Sequence, residues 1–249
     1  MKVTPVRTRV LKEGDDLAAF IIKHLPHLKD GSILAVASKI VALAEGRVVI
    51  VRSTKEKEQL IKSESEWQSK VLPQWWLTVR DGTVVVNAGI DESNVGPVKS
   101  LREHGAGGKL ILLPKDSFSS ASRLRNQLLK HYKIKNLGII ITDSRITPLR
   151  AGVVGVALGY AGFKGIKDYR GTKDLCGRKM EVTQTDIADS LATAATLVMG
   201  EGSECQPIAV VTLVPVQFSE RVNRNELRIP TNQDMYQGLF RTNPRKRKQ

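Results

Sequence analysis

The sequence predicts a mixed α/β chain of the α+β class, built as one long domain or as two intimately joined ones. Three observations carry this expectation. Apolar runs at residues 32–37, 138–141 and 208–214 are too short for helices and rich in Ile and Val, so they read as interior strands. Helical stretches at 17–25, 117–131 and the Ala-rich 186–197 separate them. A length of 249 residues with 41% hydrophobic content is enough to bury a large core.

Composition narrows the functional classes. No segment approaches the ~18 apolar residues of a membrane span, and residues 1–16 are charged where a signal peptide has an apolar centre, so a cytoplasmic protein is expected. Cys176 and Cys205 lie in no CxxC or Cys/His spacing, which argues against a disulfide framework or a zinc site. The net charge of +14 favours anionic partners. Part of that charge belongs to residues 241–248, a Pro-containing basic tail expected to be disordered. With 5% aromatics and no RNA-recognition motif or zinc finger, nucleic acid is not the expected partner.

Taken in order, residues 3–10 alternate as a first strand, and a turn at 12–16 feeds the helix at 17–25, which Pro26 closes. Strand 32–37 ends at Ser38 and Lys39, a pair that suits a phosphate or, equally, a capping Ser and a surface Lys. A short helix at 40–44 and a turn at 45–47 lead to strand 48–51. Residues 54–69, rich in Lys, Glu, Gln and Ser, read as an exposed amphipathic helix. Trp75 and Trp76 suggest core packing or a dimer contact. A hairpin turns at Asp81-Gly82 between strands 77–80 and 83–86. The oxygen-rich loop at 87–95, with Asp91, Glu92 and Asn94, fits either a ligand site or an ordinary turn. A loop at 96–109, a strand at 110–113 and a helix capped by Ser117 follow.

The central stretch spans residues 138–183. Its strand delivers Thr142, Asp143 and Ser144, a set that suits a hard cation such as Mg²⁺ carrying nucleotide phosphates, or else a turn or helix cap. Gly152, Gly155, Gly159, Gly162 and Gly165 imply a close-packed backbone or an approach to a ligand. Lys167, Asp168, Arg170, Lys173, Asp174 and Arg178, broken by Gly171 and Gly177, read as a loop able to hold anions. Residues 199–204 form an acidic glycine loop before strand 208–214, and the chain from 215 reads as an extension or dimerisation arm.

These segments resemble the coenzyme F420-0:gamma-glutamyl ligase family over most of residues 1–214. The resemblance rests on Glu13-Gly14-Asp15-Asp16-Leu17, Ser38, Ala44-Glu45-Gly46-Arg47, Asn87-Ala88-Gly89-Ile90-Asp91 and Ser93-Asn94-Val95. It continues through Thr142-Asp143, the glycines at 152–162, Asp168-Tyr169-Arg170-Gly171, Lys173-Asp174-Leu175, Gly177-Arg178, Glu181-Val182-Thr183 and Met199-Gly200-Glu201-Gly202. It implies the fold of that family, a homodimer, and an NTP- and metal-dependent ligase using GTP or ATP with Mg²⁺ or Mn²⁺. Such an enzyme joins L-glutamate to a carboxylate acceptor of the coenzyme F420-0 type through an acyl phosphate.

The resemblance also implies roles for individual residues. Asp91 and Asp143 would ligate one metal ion, Ser144 and Glu201 a second. Ser38, Lys39, Asn94, Met199, Gly200, Gly202 and Ser203 would meet the nucleotide. Arg150, with Arg170, Lys173 and Arg178, would hold anionic groups. Loss of either Asp charge is then expected to relieve repulsion in the metal-free protein. Leu43 stands where the family has Lys, and Ile146-Thr147 where it has Gly-Arg. A folate or pterin acceptor, or a nucleotide-binding relative that no longer ligates, is the alternative these departures suggest. The domain division expected is a ligase-like unit over 1–214 and an extension over 215–249.

Overall fold

The computed structural model describes residues 1–92 and 108–240. Asn94, most of the loop at 96–109 and the basic tail lie outside the described residues. In chain order, β1 (Lys2–Val6), α1 (Leu17–His24), β2 (Ser32–Ala37), α2 (Ser38–Ala44) and β3 (Val48–Val51) lead into α3 (Thr54–Ser63). Strands β4 (Trp67–Leu72), β5 (Trp75–Arg80), β6 (Thr83–Val86) and β7 (Gly108–Ile111) follow. Then come α4 (Ser117–Tyr132), β8 (Leu137–Ile146), β9 (Val153–Ala161), β10 (Ile166–Asp168), β11 (Gln184–Asp186), α5 (Ile187–Met199) and β12 (Ile208–Thr212).

The centre is a five-stranded sheet in the order β1-β12-β2-β8-β9. Only β2 and β8 run parallel, with Ala37 opposite Thr142. Their continuous apolar runs are buried on both faces, as central strands between helical layers require. Leu34, Val36, Leu137, Ile139 and Ile141 face α1, α2 and α4 through Phe20, Ile21, Val41, Leu124 and Leu128. The alternate residues Ile33 and Ile140 face α5 through Ala188, Leu191 and Ala192. Period-two alternation thus divides one hydrophobic run between two cores.

A smaller layer stands beside this sheet. β3 pairs with β7, and β4, β5 and β6 form a three-stranded sheet. Ile61 of α3, Trp76 and Ala88 make its small core. β10 and β11 begin and end a long hairpin whose inner rungs continue through Gly171 with Met180 and Asp174 with Arg178.

Several expectations are corrected. β1 stops at Val6; it is an edge strand, which is why Pro5 is accommodated opposite Ala209. The helix expected over 54–69 ends at Ser63, and residues 67–72 become β4 because their pairing with β5 outweighs a helix-favouring composition. β7 is displaced by two residues from the strand expected at 110–113. The cap of α4 is Asp116, whose carboxylate accepts from Ser119 N at 2.9 Å, and not Ser117. The chain beyond 215 packs on the core: Phe218, Val222 and Leu227 lie against the cluster of Tyr160 and Phe163. Among the described residues no helix is long and apolar enough to cross a membrane.

Candidate active site

A cavity of about 700 Å³ opens where the carboxyl ends of β1 and β2 meet the outer half of β8. The smaller layer supplies its opposite wall. Parallel neighbouring strands leave a crevice beyond their carboxyl ends, so this is where a ligand is expected in such a sheet.

β8 builds one wall, and does so by running further than its apolar residues predict. Thr142, Asp143 and Ser144 lie inside the strand and not beyond its end, because β9 pairs with β8 out to Ile146–Val153. The register slips between Ile141 and Thr142, a bulge of the kind that re-aims side chains near sites. Thr142 Oγ1 meets Thr196 Oγ1 of α5 at 3.2 Å. Ser144 Oγ donates to Glu201 Oε1 at 2.5 Å, tying β8 to the loop after α5. Asp143 accepts from Ser38 Oγ at 2.8 Å and from Arg145 Nη1.

The glycines of β9 serve packing. A Cβ on Gly155 would sit 2.6 Å from the Ala192 carbonyl, and one on Gly159 would sit 2.5 Å from the Phe118 nitrogen. They bring α5 and α4 onto the strand, so the close-packing alternative is the one realised.

The opposite wall depends on a left-handed turn. Asn87, Ala88 and Gly89 have φ of 50°, 57° and 70°. Such backbone persists in non-glycine residues only where neighbours enforce it. Here Asn87 Oδ1 accepts from Trp76 N, and Ala88 N donates to Thr78 Oγ1, both at 2.9 Å. The turn delivers Asp91, whose N–H and C=O both pair with Ile111 at 2.9 Å. Lys39 Nζ reaches the Asp91 carboxylate at 2.7 Å. Past α5, Gly200 at φ +79° places the loop so that Glu204 accepts from Gly202 N at 2.8 Å.

The cavity therefore brings together Ser38, Lys39, Asp91, Asp143, Ser144, Met199, Gly200, Glu201, Gly202 and Ser203. Arg150 is not brought in: it is exposed in the turn after β8, and its N–H donates to Thr147 O. Arg170, Lys173 and Arg178 are exposed on the β10–β11 hairpin and line no part of the cavity. Arg170 instead holds Asp168, whose carboxyl its guanidinium brings down to about 2. Thr196 and Cys205 also line the cavity, and nothing local in sequence marks them for it; Trp75, expected in core packing or a dimer contact, lines it as well, and Glu204 comes in with the acidic glycine loop.

A hard cation suits this donor chemistry. Among the described residues no three His, Cys, Asp or Glu side chains converge as a ready-made cage. Mg²⁺ does not need one, since it takes one or two carboxylates and completes its shell with water and phosphate. Asp91, Asp143, Ser144 and Glu201 are the oxygens that would hold it. Lys39 binds the Asp91 carboxylate and Arg145 the Asp143 carboxylate, so two of these three carboxylates are each held by a cation of the cavity.

Fold and cavity together define a mixed α/β protein with a charged, oxygen-rich crevice suited to anionic ligands and a hard cation. Comparison with known proteins gives the family. The F420-0:Gamma-glutamyl ligase family profile matches residues 5–212. The coenzyme F420:L-glutamate ligase of Archaeoglobus fulgidus is 38% identical over 218 residues, covering 81% of this chain and 83% of that protein. That of Methanopyrus kandleri is 36% identical, covering 84% and 86%, and that of Methanocaldococcus jannaschii is 30% identical, covering 95% and 96%. The chain belongs to the F420-0:gamma-glutamyl ligase family.

Proposed function

We infer that the protein is a metal- and NTP-dependent γ-glutamyl ligase acting on a carboxylate acceptor of the coenzyme F420-0 type. The observation that carries this reading is the cavity itself: carboxylates, hydroxyls and cations from β2–α2, the turn before Asp91, β8 and the loop after α5 face one space. The names of the relatives supply the glutamate and the coenzyme.

In this reading the acceptor carboxylate attacks the terminal phosphorus of GTP or ATP. The bond to the bridging oxygen breaks and the nucleoside diphosphate leaves. The α-amine of L-glutamate then attacks the acyl carbon, loses a proton, and inorganic phosphate departs with the amide formed. The part of the chain is mainly placement, as in other phosphoryl transfers. Lys39 would meet phosphate oxygens from the start of α2. Ser38 would orient Asp143, and Ser144 would orient Glu201. Met199, Gly200, Gly202 and Ser203 would border the nucleotide. Mg²⁺ or Mn²⁺, when bound by Asp91, Asp143, Ser144 and Glu201, would offset charge on the phosphates.

Incubating the protein with GTP or ATP, Mn²⁺ or Mg²⁺, L-glutamate and coenzyme F420-0 or a folate checks this. Release of phosphate with an acceptor heavier by one glutamyl residue is expected. Nucleotide binding without phosphate release from any carboxylate acceptor would overturn it. A homodimer belongs to the same reading, and light scattering should then give twice the 27.5 kDa chain mass.

A further inference from the structure

Two arginines of this fold are equally buried and differently satisfied. Arg125 and Arg145 are each 5% exposed. Arg125 donates from Nε to Leu137 O and from Nη1 and Nη2 to the two oxygens of Glu220. All three of its nitrogens are therefore engaged. Arg145 uses Nη1 alone, toward Asp143 and the Ser144 carbonyl, and its Nε and Nη2 are buried with no hydrogen-bond partner among the described residues. These two nitrogens carry three of the guanidinium's five N–H donors.

A buried donor without an acceptor costs the full desolvation of the group, so an unpaired one calls for an explanation. Arg125 shows that the fold can satisfy a buried guanidinium where the role is structural. Arg145 differs in lining the cavity, which Arg125 does not. Its missing acceptors are thus sought in what the cavity binds. Three N–H donors in a rigid fork match several oxygens of an anion, and phosphate is the group this geometry suits.

We propose that Arg145 is the phosphate anchor of this cavity, leaving Asp143 for the phosphate chain of the nucleoside triphosphate when that ligand enters. This rests on the reading of the cavity as a nucleotide site. Nε and Nη2 are out of contact with solvent, so the phosphate reaches them only as the guanidinium swings from Asp143. That exchange frees the Asp143 carboxylate for the accompanying cation. One entering ligand, a metal-bound triphosphate, thereby supplies a partner to each half of the ion pair.

Titration calorimetry with inorganic tripolyphosphate, GTP and guanosine, each with Mg²⁺, tests the anchor. Arg145→Gln should weaken tripolyphosphate and GTP by about tenfold or more, the scale of a lost charge-assisted hydrogen bond, and leave guanosine unchanged. Arg145→Lys keeps the charge without the fork and should recover only part of the loss. It also serves if the Gln variant fails to fold. Wild-type affinity for tripolyphosphate in both variants, or in Lys alone should Gln not fold, would overturn the anchor, as would a wild type that binds neither tripolyphosphate nor GTP. The outcomes separate the two claims. Arg145-dependent tripolyphosphate binding without glutamate ligation keeps the anchor and removes the ligase. Ligation with undiminished nucleotide affinity in the variants does the reverse.

Discussion

Ser38 Oγ donates to Asp143 Oδ1 at 2.8 Å, joining the first residue of α2 to β8 across 105 residues of sequence. Parallel pairing of β2 with β8 sets the Cα of Ala37 beside that of Thr142, so the next residue of each strand meets beyond the rung. Ser38 is 4% exposed, so its hydroxyl has been withdrawn from water and depends on this acceptor. Ser38→Ala removes a donor to a carboxylate and should cost about 1–2 kcal/mol in urea unfolding. Turnover should fall by about tenfold, because Asp143 loses the group that orients it. An unaltered rate would show that Asp143 needs no such support.

The two Asp→Asn changes should separate metal binding from stability. If Asp91 and Asp143 hold the proposed metal, each change removes one charged ligand while keeping the volume, so a rise in Tm produced by Mg²⁺ or Mn²⁺ in the wild type should shrink in both variants. The metal-free proteins should differ, and here the expectation of relieved repulsion is corrected. Asp143 does not face a bare carboxylate; it neutralises Arg145, whose side chain is 6% exposed. Asp143→Asn therefore strands a buried cation and should cost on the order of 3 kcal/mol. Asp91 pairs with a more exposed Lys39, so Asp91→Asn should cost less than about 1 kcal/mol. Full metal-induced shifts in both variants would show that neither residue is a ligand.

Much of the frame was legible because it is local. Strands β2, β3 and β6 have the bounds their apolar runs predict, and α1 stops just before Pro26. What escaped depends on partners distant in sequence. β8 continues through Thr142, Asp143 and Ser144 only because β9 offers a ladder there, and no local pattern announces it. β4 was disguised by Gln68, Ser69 and Lys70, which suit an exposed edge strand as well as a helix. The cavity residues stood out as oxygens and cations at the ends of runs, whereas Arg145 acquires its meaning from burial, which sequence does not display.

A buried carboxyl pair gives stability a signature in pH. Asp186 caps α5 by accepting from Asp189 N at 2.9 Å, and Asp189 accepts from Ala157 N of β9 at 2.8 Å. Burial pushes the Asp186 carboxyl up to about 6, the neighbouring Asp189 charge adding to it, and burial likewise raises Asp189. A folded value above the unfolded value of about 3.9 means that the folded state holds the extra proton. The stabilisation is then full below about pH 3.9 and is lost as pH rises through about 6. Asp186→Asn keeps a good cap and removes the charge. Its stability relative to wild type should increase between pH 4 and pH 8 by on the order of 1–3 kcal/mol. A difference that is flat with pH would show that the pair does not share its proton.

Gly155→Ala tests the packing that sets the cavity's floor. The added methyl would meet Thr196 Oγ1 at 2.1 Å and the Ala192 carbonyl at 2.6 Å, and the second of these is helix backbone that cannot turn aside. α5 must lift from β9, at a cost of about 1–3 kcal/mol in denaturant unfolding. Because Thr196 and the loop after α5 line the cavity, the KM for nucleotide should rise with the loss of stability. A stable variant with an unchanged KM would place the glycine's importance elsewhere.

The segment after β12 offers the last test, since it was expected to be an extension or dimerisation arm. Its groups instead complete the core. Glu220 accepts from both terminal nitrogens of Arg125, and Glu226 accepts from the Tyr160 hydroxyl and, at 2.7 Å, from Gly165 N. Phe163 and Phe218 form a β-bridge, and Ser219 N donates to Gly162 O at 2.9 Å. A chain ending at Val214 would expose Phe163, now 0% exposed, and Tyr160, now 1%, and would leave the Arg125 guanidinium buried without its carboxylate. That combination of lost apolar cover and a stranded charge exceeds what a marginally stable fold tolerates. The truncated protein should be insoluble or lack a cooperative thermal transition. Glu226→Ala is the milder version: it leaves the Tyr160 O–H and the Gly165 N–H without an acceptor and should cost about 2–3 kcal/mol. If the chain ending at Val214 melts cooperatively at the wild-type Tm, the segment is an extension after all.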